Sequence, residues 1–200
     1  RLARDYNVVV LGTGINPGFI FDTLAVSIAA SIPTVTKLRV VRSLDVSRRR
    51  ESVRRKLAVG EDPEVVRRKL ESGELSGHVG YAESIHLIAL AGDLNLTKVV
   101  EYQEPIPAEE TIVSEGVRVE EGMNKGIRGY GIGYVGSKEV IKVEFNAYVG
   151  ASEYDEVLVE GREFNVMWRS TGTHGDLGTA AIILNVIEKV VQMPPGLHLI

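Results

Sequence analysis

The sequence has no cysteine in its 200 residues. Disulfides, thiolate nucleophiles and zinc–cysteine sites are excluded together, and a reducing cytoplasm or a hot habitat suits such a chain. It also has no apolar run near the roughly 20 residues that cross a bilayer, and no basic leader followed by an apolar core. A cytoplasmic location with no membrane partner is the expectation. An excess of positive charge is missing too. Lys and Arg number 23 against 27 Asp and Glu, a net charge of −4, so the overall field does not draw nucleic acid. Proline is sparse at 7 and glycine plentiful at 21, which points to tight turns or close backbone approaches. With 44% hydrophobic and 25% charged residues the composition is that of a soluble globular chain, so disorder is excluded. The first residue is Arg1 rather than Met, and a longer parent protein is expected.

Residues 7–11 (NVVVL) form a β-branched run ended by Gly12, a buried-strand pattern. Phe19, Ile20, Leu24 and Ile28 recur at helical spacing over 19–30, with Pro17 placed for a helix start and Pro33 ending the element. Residues 34–44 alternate as a strand. Residues 48–59 read as a basic helix, and Asp62-Pro63 caps another that runs to about residue 75. A third covers 81–94, with Ile85, Leu87, Ile88 and Leu90 on its buried side and His86 half-buried among them. Short alternating strands follow at 97–104, 117–121, 140–149, 155–160 and 163–169, with a hairpin tip at Glu160-Gly161-Arg162. Residues 176–191 place Leu177, Ala180, Ala181, Leu184, Ile187 and Val191 in helical register before Pro194-Pro195-Gly196. The fold class expected is α+β: an open, mixed, largely antiparallel sheet with helices on one face.

Gly12-x-Gly14 after a strand suggests a dinucleotide loop, but Asn16-Pro17 removes an amide from any phosphate cradle. The chain also stops alternating strand and helix, so no doubly wound sheet forms. A tight strand-to-helix turn is the better reading. In the arginine run 48–56, interleaved acids favour solvated helix faces, and no aromatic platform for bases lies nearby. The first arginines, beside Asp45 at a strand end, are the ones best placed to face a site. His78 sits between Gly77 and Gly80, with Glu83 five residues on. His174 lies in a glycine-rich loop ahead of Asp176, which is placed to cap the last helix. Two separated histidines with no third ligand make no metal site. Substrate contact or proton transfer suits His78 and His174 better, as histidine ordinarily titrates near neutrality.

Taken in order, several motifs resemble those of one family. They are Gly12-Thr13-Gly14-Ile15-Asn16-Pro17-Gly18-Phe19 with Asp22, Gly77-His78-Val79-Gly80 with Glu83-Ser84, and Tyr154-Asp155 before Gly161. Gly175-Asp176 with Thr179 and Asn185, then Pro195-Gly196-Leu197, complete the series. The series resembles the C-terminal domain of 2,4-diaminopentanoate dehydrogenases and related NAD(P)-dependent amine dehydrogenases, similar in fold to dihydrodipicolinate reductase. The resemblance implies that residues 1–200 are a substrate-binding and oligomerisation domain, self-associating through the sheet. An N-terminal Rossmann domain outside this chain would bind NAD or NADP and carry the catalytic residues. The implied reaction is reversible oxidative deamination of a small amine or amino acid. Gly14, Asn16 and Pro17 would lie at the domain junction near the nicotinamide. His78 and His174 would line the substrate cavity, where Glu83, Asp45 and Asp22 are the carboxylates available to a diamine. The chain departs from the family pattern at Glu188-Lys189 and at Gly129-Tyr130-Gly131, where a more polar turn is expected.

Two other readings stay open. One is a stand-alone small-molecule-binding or regulatory module. The other, a basic-helix nucleic-acid binder, is the one the composition disfavours most.

Overall fold

The alternation read across residues 34–44 builds the centre of the molecule. In the computed structural model, which describes residues 1–199, this stretch is strand β2 (Val35–Asp45). It runs parallel to β7 (Lys138–Tyr148) and antiparallel to β8 (Tyr154–Gly161). Register brings Leu38 beside Ile141 and Val159, and Val40 beside Val143 and Val157, so six buried aliphatic side chains share one face. The sheet has six strands in the order β3 (Lys98–Pro107), β6 (Asn124–Val135), β7, β2, β8, β9 (Val166–Ser170). Among its described strands, β2 and β7 form the sole parallel pair, so the mixed, largely antiparallel sheet is as expected.

Helix α2 (Thr23–Ala29) covers β2, β8 and β9, and α5 (Tyr81–Ala91) covers β3, β6 and β7. The opposite face is polar. Arg39 Nε bonds Glu144 Oε1 at 2.8 Å, Lys142 Nζ lies 2.9 Å from the same carboxylate, and Arg169 pairs with Glu156 at 3.2 Å. One dry face and one wet face is the usual economy of an antiparallel sheet. Helix α4 (Pro63–Ser72) starts as its sequence predicts: Asp62 Oδ1 accepts from the Glu64 and Val65 amides, and Gly73 ends it at φ 76°. No helix among the described residues is long and apolar enough to cross a membrane.

Four local expectations are corrected. Gly129-Tyr130-Gly131 is no turn but the middle of β6. Gly129, Gly131 and Gly133 alternate on the face below α5. A Cβ at Gly131 would stand 2.7 Å from Ile85 Cδ1 and 2.8 Å from Tyr81 Cβ, and one at Gly133 2.8 Å from Ile85 Cγ2. Absent side chains let the helix lie close to the strand. Helix α2 begins at Thr23, not Phe19. Asp22 caps it from Oδ1 at 2.7 Å, while its Oδ2 takes the amide of Gly18, whose φ of 114° suits glycine. The basic segment is a 3₁₀ turn (Val46–Arg48) and a short α3 (Glu51–Lys56), divided by extended backbone at Arg49. On α5, Tyr81, Ser84 and Ala89 join Ile85 and Ile88 in burial, whereas Leu90 is 79% exposed and His86 is exposed.

The two ends of the chain meet away from the main sheet. Helix α1 (Leu2–Asp5) precedes β1 (Val9–Gly12), which pairs in parallel with β10 (Gly196–Leu199), a strand the sequence did not announce. Helix α6 (Gly175–Val190) has the helical register expected, yet buries none of its residues. Leu177, Leu184 and Ile187 on α6 and Val191 just past its end are exposed, as are Val10, Leu197 and Leu199 on the strands.

Candidate functional site

A cleft of about 590 Å³ opens beside one end of β2 and β7. Its floor is Arg42 and Leu44 of β2 with Phe145 of β7. Its walls are the Arg48–Lys56 segment, the loops carrying Asn16 and His78, and the first turn of α6 with His174, Asp176 and Thr179.

Arg42 occupies an inward position of β2, in line with Leu38 and Val40, and is 3% exposed. Its Nη2 donates to Thr173 O at 2.7 Å, which ties the loop before α6 to the sheet, and its Nη1 lies 3.7 Å from Asp155 Oδ1. Burial pulls the Arg42 guanidinium below its ordinary value. Asp155 opposes that, and the neighbouring charge of Arg49 adds to it. Arg49 Nη2 bonds Glu153 Oε1 at 2.6 Å, while its buried Nε has no hydrogen-bond partner.

His78 is held by its backbone amide, which donates to Gln103 Oε1 at 2.8 Å. Its ring stacks on Phe145 with centroids 4.3 Å apart and meets Tyr81 and Phe21 edge-on at 4.9 and 5.7 Å. Burial, with Lys56 and Arg42 adding repulsion, lowers its pKa to about 3. The expectation of a group titrating near neutrality is therefore corrected: His78 is a neutral imidazole at pH 7. Its buried Nε2 has no partner. His174 caps α6, with Nδ1 accepting from the Leu177 amide at 3.3 Å, in the role foreseen for Asp176. Asp176 instead pairs with Arg50 at 3.4 Å.

Of the residues singled out from sequence, the cleft gathers His78, His174 and Asn16, together with the first arginines, Arg48 to Arg50, and Asp176 and Thr179. Asp45 does not line it. Its Oδ1 accepts from the Ser47 amide and hydroxyl and from the Gly150 amide at 3.0, 2.7 and 3.0 Å. Burial alone would raise that carboxyl, but these bonds, with Arg48 nearby, outweigh it and hold the pKa below the usual range. Glu83 is exposed on the first turn of α5 and faces two other hollows. Pro17 borders the second of these with Gly12 and Asp22. Gly14 is buried in the loop between β1 and α2. Both amide atoms of Asn16 are buried without partners. The Asp22 carboxylate occupies the amides of Gly18 and Thr23 that a phosphate would need, so the Gly12-x-Gly14 turn offers no phosphate cradle of its own.

Sequence reasoning missed Arg42 and Phe145. The signal for Arg42 was present: a charge at an inward step of an otherwise aliphatic alternation. Among the described residues no group of three or more His, Asp or Glu side chains is placed to hold a metal ion.

Comparison with known proteins adds three findings. The sequence model of a family described as the 2,4-diaminopentanoate dehydrogenase C-terminal domain matches residues 19–200. The 2,4-diaminopentanoate dehydrogenase of Acetoanaerobium sticklandii is 31% identical over 206 residues, an alignment that takes in 99% of this chain and 58% of that enzyme. A solved amine dehydrogenase from Mycobacterium smegmatis superposes with a TM-score of 0.79 at 17% identity, over 98% of this chain and 59% of that one. This chain therefore spans a little under three fifths of either.

Proposed function

From the premise that the chain belongs to the 2,4-diaminopentanoate dehydrogenase C-terminal domain family, we propose that it forms the substrate side of an NAD(P)-dependent oxidoreductase. The reaction is reversible oxidative deamination of a small amine or diamino acid, such as 2,4-diaminopentanoate. The observation that carries this reading is a cleft with unspent buried polar atoms: Asn16 Oδ1 and Nδ2, His78 Nε2 and Arg49 Nε. A buried donor without a partner costs about 1–3 kcal/mol, so such a cluster is favourable only when something binds.

A nicotinamide ring fits one part of the site. The paired donor and acceptor of the Asn16 side chain are the complement of a carboxamide. The phosphates find no cradle in this chain, because Asp22 fills it. When bound, the nicotinamide supplies hydride acceptance from the carbon bearing nitrogen. The protein's own residues orient and desolvate. Phe145 and His78, with Tyr81 packed behind His78, present a ring-lined wall to the substrate's carbon chain. His78, neutral, offers Nε2 as a hydrogen-bonding partner to the amine or to the water that hydrolyses the imine. His174 and Thr179 close the cleft from α6. The exposed apolar surface of α6, β1 and β10 is the seat for the nucleotide-binding part, since a bare two-stranded parallel sheet is ordinarily covered. The polar face of the six-stranded sheet, laced with ion pairs, is the surface for self-association, and the enzyme is cytoplasmic.

The test is amine-dependent reduction of NAD and NADP by the protein as encoded in its natural gene, followed by nicotinamide absorbance, with fluorescence titration of residues 1–200 by NADH alongside. Amine-dependent reduction with no NADH binding to residues 1–200 is expected. Micromolar NADH binding by these residues, or no reduction with any amine, refutes the reading.

A further inference from the structure

The cleft's lining is far more cationic than a diamine site requires. Arg42, Arg48, Arg49, Arg50 and Lys56 border it, and Asp176 is the acid among its lining residues. The carboxylates that steady the two inner arginines, Glu153 and Asp155, are not part of that lining. Each of those arginines keeps a buried nitrogen without a hydrogen bond: Nη1 of Arg42, which is itself 3% exposed, and Nε of Arg49. Nη1 of Arg42 is turned toward Asp155 Oδ1 at 3.7 Å, too far for a hydrogen bond, while Nε of Arg49 has no hydrogen-bond partner. Two guanidiniums close enough to repel each other, each held by one acid and neither fully hydrogen-bonded, make a preformed seat for an anion.

We propose that Arg49 and Arg42, with Lys56 on the same cleft, hold a carboxylate carried by the amine substrate, so that the site selects amines bearing an acid group over simple alkylamines. This rests on reading the cleft as a substrate site, and it separates the two chemistries that the relatives' names represent. A monoanion suits the charge balance. Arg42, Arg49 and Arg50 are already matched by Asp155, Glu153 and Asp176, which leaves too little surplus charge for a dianionic phosphate. A carboxylate offers up to four acceptor positions to the free donors, while the wall of Phe145 and His78 takes the adjoining carbon chain. The acids expected to meet a diamine lie elsewhere: Asp22 and Asp45 are capping groups, and Glu83 borders other hollows.

The test is calorimetric titration of the full-length protein with 2,4-diaminopentanoate and with 2,4-diaminopentane, which keeps both amines and lacks the acid. The parent is expected to bind the acid at least tenfold more tightly. Arg49→Gln should weaken the acid roughly 10- to 100-fold, the usual loss for a charge-assisted bond, and leave the plain diamine within twofold. Arg49→Lys should recover part of the loss. Arg42→Gln should repeat the pattern if it folds; Arg49 carries the test if it does not. Equal weakening of both ligands, weakening of neither, or a parent preference for the plain diamine overturns the proposal. Selective acid binding without amine-dependent nicotinamide reduction would leave the anion seat standing and overturn the dehydrogenase reading instead.

Discussion

Gly131→Ala tests the account of β6 most sharply. An alanine in a strand ordinarily gains about 0.4–1 kcal/mol over glycine, through the unfolded chain's lost freedom. Here the added carbon meets Tyr81 Cβ at 2.8 Å and Ile85 Cδ1 at 2.7 Å, with Val143 Cγ2 at 3.3 Å. The Ile85 tip could rotate aside, but Tyr81 Cβ is fixed to the backbone of α5, so the helix itself must lift by a few tenths of an ångström. Overpacking of that kind costs about 1–3 kcal/mol. The net effect is a loss of about 1–2 kcal/mol, or roughly 2–8 °C in melting temperature for a chain this size. Urea denaturation and calorimetry on the same preparations would measure it. The double variant Gly131→Ala with Ile85→Val removes one of the two clashing atoms, so its loss should fall short of the sum of the single losses by about 0.5 kcal/mol or more. A Gly131→Ala protein as stable as the parent, or strictly additive losses, would refute the claim that α5 packs on missing side chains.

Other consequences follow from single buried groups. The ring of His78, neutral in the fold down to about pH 3 and ordinarily titrating near 6.5, is protonated more readily in the unfolded chain. Stability therefore rises with pH across that window, by at most roughly 1.4 kcal/mol per unit, and is lost as pH falls; His78→Phe should flatten this slope in pH-dependent urea melts. Asp22, 1% exposed, caps α2, takes the Gly18 amide and accepts from Ser84 Oγ at 2.7 Å. Asp22→Ala should cost about 2–4 kcal/mol in the same melts, with Asp22→Asn recovering part. Asn124 is fully buried; its Nδ2 donates to Leu57 O and Ala58 O, and its Oδ1 accepts from the Ile106 and Gly126 amides. Asn124→Leu should lose at least about 3 kcal/mol and loosen the end of α3, visible as faster amide exchange at Gly60. Leu184→Lys should move the melting of residues 1–200 by no more than about 0.5 kcal/mol, since α6 buries nothing there, and should lower that of the full-length protein distinctly.

Much of the fold was legible because it rests on local, periodic signals. The alternation in β2, the Asp62-Pro63 start of α4 and the strand pair around Gly161 are all short-range patterns, and each stands within a few residues of where the sequence puts it. What was illegible depends on contacts distant in sequence. Strand β6 carries glycine at three successive inward positions, 129, 131 and 133, which in isolation reads as a run of turns; it becomes a strand because α5, some 40 residues earlier, fills the space above it. Strand β10 has no pattern of its own and forms by pairing with β1 at the other end of the chain. Helix α6 shows the opposite failure. Its register was right, but register cannot say what an apolar stripe will meet, and here Leu177, Leu184 and Ile187 stay exposed while Ile182 packs against the core.

The site was harder to read than the fold for an electrostatic reason. Motif position brings an acid near a loop, but whether that acid is available depends on which donors surround it. Asp45 and Asp22 sit where a substrate carboxylate is expected, and both are consumed by backbone amides and serine hydroxyls. The same accounting runs in reverse for the arginines. Sequence spacing offers Glu51 to Arg55 and Glu64 to Arg67, and those pairs do form on exposed helix faces, where each contributes little. For Arg42 and Arg49 the acid at such a spacing is Asp45, and its carboxylate is taken by Ser47 and Gly150. Their acids arrive from β8 and the loop before it, more than 100 residues away, and satisfy one nitrogen or one charge each. A buried cation that must recruit a distant acid and still leaves a donor unspent is costly to keep in a fold. That cost makes sense where an incoming anion completes the set, which is why the proposal rests on Arg42 and Arg49 rather than on the more numerous arginines of the surface.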